Sequence, residues 1–159
     1  MALPTAYGGD STTIINNLNT YNGKVQLINE LDLGDKGIIK SDLVASVTVA
    51  KGDVCYINSS GEAALIDASA ASTIDGQLVM ANEAVTGATA GEFILWGYVS
   101  GFSSMTPGTV YWASTVGTTG NTLTTTKPST TGEIQRKIGT AMTATEIFFN
   151  PSVDYGEVP

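Results

Sequence analysis

Short apolar runs separated by turn-forming residues recur along this chain. Residues 54–57 are apolar, residues 58–61 read Asn-Ser-Ser-Gly, and residues 63–66 are apolar again. Asn and Gly tolerate the positive φ values that a tight reversal needs. The stretch 51–68 therefore predicts a β-hairpin with a four-residue connection.

The same pattern returns from residue 107. A Pro-Gly pair precedes the run 109–112, residues 117–121 are turn-forming, and residues 122–125 form the returning run. After each predicted hairpin come a polar loop, a short mixed segment and a strand that opens with an acid. In the first case these last two are 76–81 and 92–96, and in the second they are 136–141 and 146–149. The pattern predicts one β-unit used twice.

We therefore predict an all-β fold, a small barrel or sandwich built from two related β-hairpin-plus-strand units, with an N-terminal arm. The repeat spans about 45–99 and 102–150. It matches Val54 with Val110, Tyr56 with Trp112 and Leu65 with Leu123. The apolar run from Phe93 to Val99 is expected to be buried on both faces. The predicted core contains Val54, Tyr56, Leu65, Phe93, Leu95, Val110, Trp112 and Phe149.

The ends of the chain differ from this β-domain, which we place at 43–152. Residues 1–42 are predicted to be an arm, in which a short helix near 11–21 and an extended strand further on are both open. Its apolar positions lie outside the repeated unit, so they need another surface to cover. We predict that they bury against another subunit; they are Ile14, Ile15, Leu18, Leu27 and Leu31. Residues 153–159 are predicted to be a loosely held acidic tail.

Composition limits the class of protein. An apolar fraction of 42% with 14% charged residues indicates a folded domain. The net charge of −8 disfavours a nucleic-acid partner, and the Arg136-Lys137 pair is interpreted as a solvated strand edge. No apolar run approaches the length of a membrane helix, and the N-terminus lacks the layout of a signal peptide. Synthesis in the cytoplasm is expected.

The residues that usually carry catalysis are sparse. The chain has no histidine, and its one cysteine, Cys55, lies inside an apolar run, as a buried structural thiol does. The acidic residues Glu30, Asp32 and Asp35 are interpreted as solvated charges in preference to a catalytic pair or a calcium site. We therefore predict that the protein is not an enzyme and has no catalytic residues, cofactor or metal.

The tract 115–131 contains nine threonines and one charged residue, Lys127. Flanking strands favour an exposed β-edge here over a flexible loop. An unpaired strand edge needs either charge or a partner to avoid uncontrolled pairing. The tract therefore favours self-association or binding to another protein.

Several short motifs resemble a known family. Gly-Asp-Val-x-Tyr at 52–56, Gly-Glu-Phe-Ile-Leu-Trp-Gly at 91–97, Pro-Gly-x-Val-Tyr-Trp at 107–112 and Ile-Phe-Phe-Asn-Pro-Ser at 147–152 resemble small β-rich structural proteins of tailed bacteriophages. Capsid decoration (cement) proteins are the nearest likeness, and related repeats are seen in tail-fibre and baseplate proteins. The resemblance covers about 45–152 and leaves the arm unmatched.

The resemblance implies a structural virion protein on the capsid surface, made in the host cytoplasm. Its implied partners are the major capsid protein, at joints between capsid subunits, and copies of itself, with a homotrimer favoured over a dimer. A tail-fibre or baseplate component is the first alternative. A carbohydrate-binding module using Tyr56, Trp96 and Trp112 is the second, although strand placement favours core packing for these rings.

Overall fold

The computed structural model describes residues 36–159. Eleven strands and one 3₁₀ turn, Ala71–Thr73, account for the regular structure of this part of the chain, which confirms the predicted all-β fold. The strands are β1 Lys36–Val44, β2 Val54–Ile57, β3 Ala63–Leu65, β4 Leu78–Ala81, β5 Ala90–Ser100, β6 Val110–Ala113, β7 Leu123–Thr124, β8 Ile134–Gln135, β9 Lys137–Ala141, β10 Glu146–Phe149 and β11 Gly156–Glu157.

Nine of these strands form one antiparallel sheet in which two halves repeat the same order of pairing. From the outer strand inward, the order is β3-β2-β4-β5 in the first half and β7-β6-β9-β10 in the second. Strand β1 also pairs with β5. In each half the first strand of a hairpin pairs with the third strand, and the third strand pairs with the fourth. The fourth strands, β5 and β10, pair with each other and join the halves.

Strand β5 is the junction of the sheet. It pairs with β4 through residues 93–94 and with β10 through residues 97–100. Residues 93, 94, 97 and 98 also pair with β1. A strand can pair along two edges. One edge of β5 pairs with β1, and the other pairs first with β4 and then with β10. The sheet therefore divides beside residues 95–96, where β4 and β10 part.

The pairing of β1 with β5 depends on a close approach of the two backbones. Gly37 lies opposite Gly97, and a Cβ added to Gly37 would collide with the carbonyl oxygen of Trp96. Only glycine fits such a contact. Residues 36–42, which the sequence analysis assigned to the arm, are thus part of the sheet. The arm residues predicted to form an interface, Ile14, Ile15, Leu18, Leu27 and Leu31, lie outside the described residues.

Two apolar clusters cover the sheet. The first contains inward residues of both halves, such as Val54, Met80, Ile138 and Phe149. The second lies on the other face of the first half only, where Phe93 packs with residues of β2, β4 and the segment after β1. In the first half, alternate residues along a strand therefore enter different clusters, as Val54 and Cys55 do.

The predicted core is partly correct. Val54, Phe93 and Phe149 are fully buried. Tyr56, Leu65 and Leu95 are partly buried and pack against the clusters, so they lie at the margin of the core.

Val110 and Trp112 were wrongly predicted to be core residues. Tyr111 and Ala113 contact the first cluster in their place. Side chains of a strand alternate between the two faces of the sheet. The sequence repeat matched Val54 with Val110, but Val54 faces the first cluster and Val110 points to the opposite face. The β6–β9 register also shifts between Tyr111 and Trp112, as at a β-bulge. The second hairpin thus presents the other set of side chains to the core.

The Thr-rich turn of the second half is tied to the first half by Asp53. The buried carboxylate of Asp53 accepts hydrogen bonds from the Gly120 amide at 2.8 Å and from the Thr122 hydroxyl at 3.3 Å. The same Thr122 oxygen accepts a hydrogen bond from the Val54 amide at 2.8 Å. The predicted exposed edge is thereby reduced to β7, which has two residues.

The end of the chain is also held in place. Strand β11 pairs with β8, and the Val158 amide donates to the carbonyl of Glu133 at 2.9 Å. The expectation of a loose tail over 153–159 is therefore wrong for 156–158. An acidic composition indicated solvation, but it carried no information about backbone pairing.

Candidate protein-binding surface

Large apolar side chains are exposed where β1, β5 and β10 meet. Ile38 and Trp96 are 61% and 50% exposed and are cross-strand partners, so they lie side by side. Phe148 on β10 contacts the ring of Trp96, and Val153 follows the end of β10 and is also exposed. We call this set, together with Tyr98, the Trp96 surface; its members are Ile38, Trp96, Tyr98, Phe148 and Val153.

The aromatic part of this surface is packed in a defined way. The rings of Trp96 and Phe148 have centroids 4.9 Å apart and meet edge to face at 82°. The rings of Tyr98 and Phe148 are also 4.9 Å apart, at 37°. Such pairs stabilise one another beyond the area that they bury. The surface is therefore ordered by its own contacts while leaving Trp96 half accessible.

A bulge in β5 turns Trp96 outward. The register with β1 passes from Ile38↔Trp96 to Ile39↔Ile94, so Leu95 is an extra residue in β5. Accordingly Ile94 and Val99 both belong to the first cluster, although they are five positions apart and would lie on opposite faces of a regular strand. The prediction that 93–99 is buried on both faces is correct at Phe93 and wrong at Trp96. A run of apolar letters does not reveal a bulge.

A pocket of about 460 Å³ adjoins Trp96 at the place where β4 and β10 part. It is bounded by Gln77, directly before β4, and by Pro151, shortly after β10. Its apolar wall consists of Leu95, Trp96, Pro151 and Val153, and its polar wall of Asp75, Gly76, Gln77 and Arg136. The pocket thus combines an exposed aromatic ring with a charged group.

Arg136 is the buried cation of this pocket. It is 5% exposed, its Nε donates to the carbonyl of Ser152 at 2.9 Å, and its Nη1 donates to the carbonyls of Ile74 and Gly76. Burial lowers the pKa of its guanidinium, while the nearby negative charge of Asp75 opposes that shift. The interpretation of Arg136 as part of a solvated edge was wrong. Its position midway between the buried Ile134 and Ile138 was the available indication.

Metal-ligating clusters and the single cysteine would be the other candidate chemical groups of residues 36–159. Residues 36–159 contain no group of three metal-ligating side chains. The Cys55 thiol is fully buried, and burial together with the charge of Asp53 raises its pKa to about 12. A protonated thiol without access to solvent is a poor nucleophile.

The three rings considered for sugar binding do not form one platform. Tyr56 packs against the first cluster, on the face opposite Trp96. Trp112 lies under the ammonium of Lys127, 5.1 Å from the ring centroid. Trp96 meets Phe148 edge to face. The three rings therefore lie in three different environments.

No family model matches the chain, and no curated protein matches it. Across residues 36–159, the chain has no helix with the length and apolar character needed to cross a bilayer.

Proposed function

We propose that this protein is a structural component of a phage particle that binds the outer surface of the capsid and stabilises joints between major capsid subunits. The phage assignment rests on the sequence motifs at 52–56, 91–97, 107–112 and 147–152. The protein-binding role rests on the Trp96 surface.

The Trp96 surface is the observation that carries the proposal. Exposed apolar groups that cluster, in contrast to scattered ones, are typical of interaction sites. Trp and Tyr are the side chains most often found to dominate binding energy at protein interfaces. The apolar set spans β1, β5 and β10 and therefore presents one continuous face of the sheet to a partner.

The electrostatics of the chain fit a partner made of protein. A net charge of −8 repels a nucleic-acid backbone and favours contact with the outside of a shell over contact with the packaged genome. Self-association as a homotrimer, placed where three capsid subunits meet, would repeat one modest interface many times over a closed shell. The summed interfaces would resist internal pressure.

The direct test compares phage particles with and without the protein under heat and osmotic shock. We expect particles that carry the wild-type chain to survive better, and particles that carry a Trp96→Ser, Ile38→Ser double variant to lose the protein and the protection. The matched control is Val116→Ser, which removes another exposed apolar side chain far along the sequence. Equal survival with and without the protein would contradict the proposal.

A second experiment tests the arm. Because β1 begins at Lys36, a deletion of residues 1–35 spares every described strand, whereas a deletion of 1–42 also removes part of β1. We expect the shorter deletion to leave the β-domain folded and to weaken trimer formation or capsid binding, measured by light scattering and particle sedimentation. Unfolding of the 36–159 domain would instead assign the arm to the core.

A further inference from the structure

We propose that the pocket between the start of β4 and the end of β10 binds a carboxylate carried on an apolar or aromatic group. The guanidinium of Arg136 is the partner of the anion, and Trp96 forms the wall against which the apolar part lies. This inference concerns the isolated chain and does not depend on the proposed function.

The first support is a largely buried cation that forms no direct ion pair within residues 36–159. The hydrogen bonds of Arg136 go to the backbone carbonyls of Ile74, Gly76 and Ser152. These use Nε and Nη1; within residues 36–159 no acceptor binds Nη2. Of the five N–H donors of the guanidinium, the two on Nη2 therefore remain, and a carboxylate oxygen is a strong acceptor for such a charged donor. Electrostatic attraction is stronger in a largely buried site than in water, so an anion that reaches Nη2 gains more here than at the surface.

The second support is that Arg136 is held rigidly. Its three bonds fix the guanidinium between the turn before β4 and the segment after β10, with Nε bound at 2.9 Å to Ser152 and Nη1 at 3.0 Å to Gly76. A preorganised donor loses little side-chain freedom when a ligand binds. The arrangement therefore supplies a fixed anion partner at one side of a cavity.

The third support is the composition of the opposite wall. Leu95, Trp96, Pro151 and Val153 are apolar, and the ring of Trp96 is half exposed beside the cavity. The volume of about 460 Å³ is within the usual range for small ligands, roughly 300–1,000 Å³. Simple inorganic anions would leave most of this wall uncovered, whereas an aryl or alkyl carboxylate would cover it.

Asp75 sets the expected sign of a further effect. Its carboxylate lines the same pocket and interacts with the charge of Arg136. It repels an incoming carboxylate, so Asp75→Asn should tighten binding while changes at Arg136 weaken it. Opposite effects from two residues of one pocket are not expected from a general loss of structure.

The test uses the full chain and tryptophan fluorescence. The chain has two tryptophans, so Trp112→Phe leaves Trp96 as the reporter and Trp96→Phe leaves Trp112 as the control. Phenylacetate is titrated to about 10 mM, which fills most of even a millimolar site. We expect saturable quenching with the first reporter and none with the second. The uncharged phenylacetamide should bind at least about tenfold more weakly, the scale of one lost charge-assisted hydrogen bond.

Two peptides distinguish the source of the carboxylate. N-acetyl-Leu-Glu-Leu-amide represents an acidic side chain of a protein partner, and its Gln counterpart is the matched control. Binding of the Glu peptide but not the Gln peptide assigns the site to a protein partner. Binding of phenylacetate with both peptides silent assigns it to a small free acid.

Variants complete the test. Arg136→Lys should weaken the acid about tenfold or more, because an ammonium group cannot keep the three backbone contacts and also present the Nη2 donor to the ligand. Asp75→Asn should tighten binding. If Arg136→Lys does not fold, two measurements on folded protein still test the proposal: the affinity of Asp75→Asn for the acid, and the difference in affinity between the acid and the amide. The proposal is overturned if acid and amide bind equally, or if neither phenylacetate nor the Glu peptide binds.

Discussion

The two halves of this domain repeat one order of strand pairing but bury it differently. In the first half, residues on the outer face of β2 and β4 are covered by Leu43, Val49 and Val85, which complete the second apolar cluster. In the second half no equivalent cluster covers the outer face of β10 and β6 within residues 36–159. Phe148 and Trp112 there are only partly buried.

This difference shows that two halves with the same strand pairing can bury different faces of the sheet. The first half gains a second core because the chain passes over it before the hairpin begins, at residues 43–49. The second half has no such segment between β5 and β6; residues 101–109 instead contribute Phe102 and Met105 to the first cluster. Within residues 36–159, Phe148 lies on the face that has no such cluster, and Trp96 of β5 contacts it there.

The most direct test of this comparison exchanges one aromatic ring in each half for alanine. Phe93→Ala should lower the free energy of unfolding by about 3–5 kcal/mol, because it empties a fully buried site. Phe148→Ala should cost only about 1–2 kcal/mol, since it removes ring contacts on a half-exposed face. Urea unfolding measures both. Equal losses would mean that the outer face of the second half is as well packed as that of the first.

The link between the halves should also be strong. Asp53→Asn replaces a buried charged acceptor that binds Gly120 and Thr122, and we expect a loss of about 2–4 kcal/mol. Amide hydrogen exchange should rise in the turn at 117–122 before it rises elsewhere. Asp154→Asn, at an exposed position, is the control and should change the unfolding free energy little.

Cys55 reports on the second cluster through pH. The pKa of the Cys55 thiol is 9.0 ordinarily and about 12 in the folded protein. Below pH 9 the thiol is therefore protonated in both the folded and the unfolded state, and its titration does not change the free energy of unfolding. Between these values only the unfolded chain releases the proton, which favours unfolding. The group should therefore cost about 1.4 kcal/mol at pH 10 relative to pH 8.

The measurement is the difference in unfolding free energy between wild type and Cys55→Ala at the two pH values. The subtraction removes the titration of lysines and tyrosines. The advantage of the wild type should shrink at pH 10. An advantage that does not change with pH would show that the first half admits water at Cys55.

The smallest effect on stability is expected at Trp96. Trp96→Ser should change the unfolding free energy by no more than about 1 kcal/mol, because half of the ring is already in water. The same change should weaken association with a partner, measured by light scattering or particle binding. A large loss of stability would indicate that Trp96 belongs to the core and not to a binding surface.

The sequence by itself determined the class of fold and the positions of most strands. Gly, Asn and Asp at the turns restrict where the chain can reverse, and apolar runs between them are short enough only for strands. These are local properties, so they can be recognised without a structure. The burial of Val54, Phe93 and Phe149 was predicted correctly from the same pattern.

Only the tertiary structure decided which face each residue occupies and what the candidate site contains. A single extra residue in β5, Leu95, turned Trp96 outward. In β6 the regular alternation places Tyr111, and not Trp112, against the first cluster. Alternation has a period of two, so one bulge reverses every later assignment. The contacts of Arg136 with Ile74 and Ser152 join residues 62 and 16 positions apart, and such pairings depend on strand order and not on local pattern.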